Sequence, residues 1–165
     1  MTTTAEQRNE RGSGIAPETL ALIEKAETGI ETFAYERPNT ELPPGRKLRV
    51  KLAQTDSNRA QVQILKEDGE NNLHYHANVD LIYMVLQGKV RFYGVGDKLL
   101  GEFGPLQGVK LPQYARYWFT SVGDEEALLL QMAGYPKGAT EKARVACEPR
   151  AMGRRWHERR SRQDT

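Results

Sequence analysis

From Lys47 to Met132 the chain is a succession of short apolar and β-branched runs, each closed by turn residues at intervals of about 8–12 positions. Lys47-Leu-Arg-Val-Lys-Leu alternates strictly. Leu48, Val50 and Leu52 share one face and Lys47, Arg49 and Lys51 the other, the pattern of a half-exposed antiparallel strand. Further strands are predicted over 59–66, through His74-Tyr75-His76, and over 81–86, 89–93, 109–111, 115–121 and 127–132. The turns between them are Thr55-Asp-Ser-Asn, Glu67-Asp-Gly, Gln87-Gly88, the stretch around Gly94 and Gly96, and Val122-Gly-Asp. Many short strands with regular turns imply an all-β antiparallel barrel or sandwich.

The 165 residues suffice for one core but not two. With 38% apolar residues and a mean hydropathy of −0.68, part of the chain is polar tail rather than core. Residues 1–14, ending Arg-Gly-Ser-Gly, are expected to be a disordered N-terminal tail. Residues 15–46 are expected to hold a helix over Pro17–Thr28 and a Pro-rich loop, 47–136 the barrel, and 137–165 a basic C-terminal arm. From Thr140 onward eight Lys and Arg face four acids. No stacking aromatics or recognition motif accompany those arginines, so a solvated end is favoured over nucleic-acid binding. No apolar run reaches the roughly 20 residues of a membrane helix. The N-terminus has no apolar signal core, which leads us to expect a cytoplasmic protein with no membrane partner. The single cysteine, Cys147, fits a reducing compartment and is read as incidental.

Two of the three histidines lie two residues apart, in Leu73-His-Tyr-His76, just ahead of the apolar run Leu81–Leu86. Side chains at i and i+2 of a strand point the same way, so His74 and His76 stand on one face with tips free to converge. Two neutral imidazoles so placed are half of a transition-metal site, or equally a pair of surface histidines on a half-exposed strand.

This order of segments resembles the conserved barrel of the cupin superfamily: strand, His-x-His, apolar strand, Gln-Gly, strand, Leu-Pro, aromatic strand, Gly-Asp-Glu. The resemblance spans roughly residues 47–133. It implies a cupin-type antiparallel β-barrel, a double-stranded β-helix or jelly roll, with a short N-terminal helix. Of the first family motif His74, His76 and Gly88 are in place, and Gly69 sits one residue closer to the histidines than the pattern asks. The glutamate slot falls on Leu81 counting back from Gly88, or on Asp80 counting forward from His76. Of the second motif, the slots hold Leu106, Pro112, Tyr114, Tyr117 and Ser121. Only the proline is kept, and Tyr117 stands where the third metal-binding histidine would be.

What the resemblance implies chemically stays open between three readings. In the first, His74, His76 and Tyr117 hold a divalent transition metal, iron(II) ahead of manganese, zinc or nickel, in an oxidative, dioxygenase-like enzyme acting on a small metabolite. In the second, a histidine (His76) is general base and Tyr117 general acid in a metal-free isomerase, epimerase or lyase. In the third, the barrel binds a small molecule without catalysis. Strand alternation would turn Phe119 and Ser121 inward with Tyr117, and Leu81, Tyr83 and Val85 inward from the Gly88 register. Tyr83, Phe119, Ser121 and Asp80 are thus candidates for the substrate pocket. Arg116 and Trp118 are expected to face outward, barrel packing is the favoured role for Phe119 and Trp118, and the sequence leaves open whether Arg91 faces the pocket mouth. A homodimer is expected, since the alternating Lys47–Leu52 strand and the narrow apolar stripe of the helix both need covering.

Overall fold

The computed structural model describes residues 14–43, 45–67, 69–136 and 144–147. The chain divides into two compact units, Met1–Phe33 and Ala34–Thr165. The first contains helix α1 (Pro17–Glu27), with proline in its first turn, Glu18 at its positive end and Lys25 at its negative end. None of its residues is buried.

Among the described residues the second unit holds ten strands: β1 (Lys47–Gln54), β2 (Asn58–Leu65), β3 (Gly69–His76), β4 (Asp80–Gln87), β5 (Val90–Tyr93), β6 (Leu99–Phe103), β7 (Gly108–Leu111), β8 (Tyr117–Ser121), β9 (Ala127–Gly134) and β10 (Arg144–Ala146). They form two five-stranded sheets, ordered β1-β2-β9-β4-β7 and β10-β3-β8-β5-β6. Every strand pair is antiparallel. The chain crosses repeatedly from one sheet to the other, so strands distant in sequence become neighbours, as in a jelly roll. The all-β barrel expected from the turn spacing is what forms.

Alternation decides which side chains meet between the sheets. On β4, Leu81, Tyr83 and Val85 are buried while Asp80 and Ile82 are exposed. Opposite them on β9 stand Ala133, Gln131 and Leu129, also buried. From the other sheet come Val90 and Phe92 of β5 with Tyr117 and Phe119 of β8. Phe92 packs at 5.1 Å from Phe119 and 5.4 Å from Tyr83, centroid to centroid. Burying each such ring contributes roughly 1.5–3 kcal/mol. Gly108 of β7 lies so close to β4 that a Cβ built there would stand 1.8 Å from the Tyr83 carbonyl oxygen. Only a residue without a side chain lets these strands approach.

Trp118 projects away from Tyr117 and Phe119, as expected, and is 1% exposed. It stacks on Tyr93 at 4.1 Å, and with Leu73 it makes a second small core. Cys147 packs against that core, and its N–H donates to the Leu73 carbonyl at 2.8 Å, so it is not incidental. Arg91 points away from the core and binds Glu102 at 2.7 Å. Two strands escaped sequence reading. In β6, Leu99 and Leu100 are both exposed, so the run carries no alternation. β10 lies inside the stretch read as a basic arm. Apart from β10 and Cys147 that arm lies outside the described residues, as do residues 1–13 of the N-terminal tail.

Candidate functional site

The site grows from one register. β3 runs beside β8 so that His74 is directly opposite Tyr117, after an irregularity between Glu70 and His74. β10 flanks the other edge of β3, pairing Arg144 with His76 and Ala146 with His74. The His-x-His spacing acts as the strand period requires. The two imidazoles meet edge to face, centroids 5.3 Å apart and planes at 79°. The Tyr117 ring lies 4.4 Å from His74 and 6.4 Å from His76. His74 is fully buried and His76 only half-buried.

His74 is held by its backbone surroundings. Its Nδ1 is 2.8 Å from the carbonyl oxygen of Asn72. A carbonyl only accepts, so Nδ1 carries the hydrogen, and in the neutral ring Nε2 is left as the basic nitrogen.

Behind Tyr117 lies a buried polar chain. The Tyr83 and Tyr117 hydroxyls are 3.1 Å apart. Gln131 donates from Nε2 to the Tyr83 hydroxyl at 2.7 Å. The Gln131 Oε1 in turn accepts from the Gln63 Nε2 at 3.0 Å and from the Gln61 Nε2. Gln61, Gln63, Gln131, Tyr83 and Tyr117 are all buried, between 1% and 8% exposed. Hydrogen-bonded in this way, the buried amides hold one another and Tyr83 in place.

Of the residues singled out from sequence, His74, His76, Tyr117 and Tyr83 come together. Phe119 faces the same interior but packs against Phe92, Tyr83 and Tyr117 as core. Ser121 is buried on the same face of β8, four residues beyond Tyr117 and hence about 13 Å along the strand. Asp80 does not join them. It is exposed, accepts from the Gln113 backbone N–H at 3.0 Å, and lines an outer depression of about 390 Å³ with Ile82 and Met132. Leu81, 2% exposed, points inward in its stead, so the glutamate slot of the cupin pattern holds leucine. The three glutamines were missed. Gln61 and Gln63 alternate with Val62 and Ile64, and the apolar pair would ordinarily claim the interior. Here both faces of β2 are buried, and the glutamines take the inner one.

Set against solved structures, the chain matches a conserved Klebsiella pneumoniae protein with a double-stranded β-helix domain. The TM-score is 0.55 at 13% identity, over 66% of this chain and 85% of that one. It matches a cupin superfamily protein of Desulfitobacterium hafniense with TM-score 0.50 at 21% identity, over 64% and 97%. The chain has the cupin fold. A third match is a histidine-to-glutamine variant of Streptomyces PAC13 with uridine, with TM-score 0.52 at 12% identity, over 68% and 88%. At these identities the likeness speaks to fold alone. No family model and no curated protein matches the sequence.

The cupin pattern asks a metal site for three histidines and a carboxylate. Among the described residues no three His, Cys, Asp or Glu side chains are grouped to hold an ion. His74 and His76 supply two imidazoles, Tyr117 supplies a phenol already bonded to Tyr83, and Leu81 supplies nothing. That donor set does not fit the family's four-ligand shell.

Proposed function

We propose that this protein is a small-molecule enzyme of cupin fold that works by proton transfer, as an isomerase or lyase, with His76 as general base and Tyr117 as general acid. The observation that carries the reading is the juxtaposition of two imidazoles with a phenol whose far side is tied into a buried hydrogen-bond network. A neutral imidazole accepts a proton readily at neutral pH. A phenol has a much higher ordinary pKa, so it stays protonated and can give its proton to a developing oxyanion. The half-buried His76 is the more accessible of the pair. The buried His74, anchored through Nδ1, orients the rings and offers Nε2 as an acceptor.

In such a reaction His76 removes a proton from a carbon acidified by a neighbouring carbonyl, and Tyr117 protonates the oxygen or the departing group. Protons balance over the cycle, and no oxidant is needed. Tyr83, Phe92 and Phe119 pack around Tyr117 as buried core and keep water from that side of the phenol.

The test is elemental analysis of the purified protein joined to a solvent-exchange assay. Chelator-treated protein is incubated in D2O with a panel of small hydroxy- and keto-compounds, and deuterium uptake is read by mass spectrometry. The reading predicts uptake that survives chelation and disappears in His76→Gln. One iron, manganese, zinc or nickel per chain, with activity lost on its removal and restored by its return, would replace it by the metal-dependent alternative.

A further inference from the structure

The hydrogen-bond chain behind Tyr117 has a direction. Gln131 receives N–H groups from both Gln61 and Gln63 at its Oε1, which only the oxygen end of an amide can do. Its Nε2 is therefore turned to Tyr83 and donates to that hydroxyl at 2.7 Å. The Tyr83 and Tyr117 oxygens lie 3.1 Å apart, and either hydroxyl can be the donor. With Tyr83 donating, the chain runs from amide N–H to Tyr83 and from the Tyr83 O–H to the Tyr117 oxygen, and every dipole in it points its positive end toward Tyr117.

We infer that Tyr83 and Gln131 are positioning residues that strengthen Tyr117 as an acid, by donating toward the oxygen that becomes negative when its proton leaves. The inference rests on the acid role proposed for Tyr117, and it adds residues to which the cupin pattern gives no part. A hydrogen bond donated to the charged form of a group favours that form, and in a water-poor interior the bond is stronger than in solution. The amide clamp from β2 matters because it stops Gln131 from turning over. With the opposite orientation, Tyr83 would donate to Gln131 and give nothing to Tyr117. The titratable groups facing Tyr117 are His74 and His76 from β3 and Tyr83 from β4. Phe92 from β5 is neutral.

The decisive variant is Gln131→Glu, nearly equal in shape. A carboxylate there accepts from the Tyr83 O–H and reverses the chain at its middle link. Protein carrying 13Cζ-labelled tyrosine, assigned through Tyr117→Phe, is titrated by NMR without any substrate. The Tyr117 resonance should ionise at higher pH in Gln131→Glu than in the natural protein, and likewise in Tyr83→Phe, which removes the donor outright. In the exchange assay both should lower turnover about tenfold, the loss of one charge-assisted hydrogen bond, and should move the alkaline limb of the pH profile, leaving KM little changed. Gln131→Asn, shorter but still an amide, should recover part of the shift. An unmoved Tyr117 titration in Gln131→Glu and in Tyr83→Phe would overturn the inference while leaving the exchange result standing. Loss of exchange in every variant with an intact titration shift would instead strike at the proposed reaction.

Discussion

Removing the Tyr83 hydroxyl should cost more than the hydrogen bonds it makes, because of what it leaves behind. In Tyr83→Phe the Gln131 Nε2 remains buried with a hydrogen aimed at an aromatic edge, a stranded donor worth about 1–3 kcal/mol. Gln131→Leu strands two donors, those of Gln61 and Gln63, and should cost about 2–5 kcal/mol. In the double variant the donor that Tyr83→Phe would have stranded is gone. The second change then adds about 1 kcal/mol or less, a coupling of about 1–2 kcal/mol. Against a total stability of roughly 5–15 kcal/mol, all of these are readable by urea unfolding followed by far-ultraviolet circular dichroism. Equal m-values across the set would confirm that the comparison is like with like. Additivity to within about 0.5 kcal/mol would refute the network, and with it the claim that these buried amides hold Tyr83 in place.

Three further outcomes follow from single features. Gly108→Ala should destabilise by about 3 kcal/mol in thermal unfolding, because its Cβ would collide with the Tyr83 carbonyl oxygen and push β7 off β4. Glu126 is held below the ordinary carboxylate range by its hydrogen bonds to Arg37, at 2.7 and 3.0 Å. A carboxyl with a depressed folded value stabilises above its unfolded value and loses that contribution as pH falls through the folded one. Glu126→Gln should therefore lower the urea midpoint at neutral pH and converge with the natural protein in acid. Multi-angle light scattering should report a homodimer at micromolar concentration, with a strict monomer counting against it.

Much of the barrel was legible because strand alternation is a backbone property. Once Gly88 sets the register, Leu81, Tyr83 and Val85 must share a face, and they do. His74 and His76 meet for the same reason. What could not be read depends on partners distant in sequence. Gln61 and Gln63 look like solvent-facing polar positions until β9 brings Gln131 within hydrogen-bonding reach of both. Trp118 reads as a packing ring, but its partners do not show in the sequence: Tyr93 and Leu73 cover it from neighbouring strands. Asp80 could not be separated from Leu81 by counting, because a shift of one residue reverses the face and only the settled pairing fixes it. β6 and β10 lack the apolar alternation on which strand reading rests.

The measurement that bears most directly on the account is the turnover of Tyr117→Phe beside that of the natural protein, on a substrate identified by deuterium uptake and under chelation. The ring and its packing against Phe119 and His74 are kept, and only the hydroxyl is removed. The account predicts a folded variant whose turnover is lower by something like 10²-fold, the usual cost of a lost positioned acid. A folded Tyr117→Phe protein that turns over at the natural rate would contradict it.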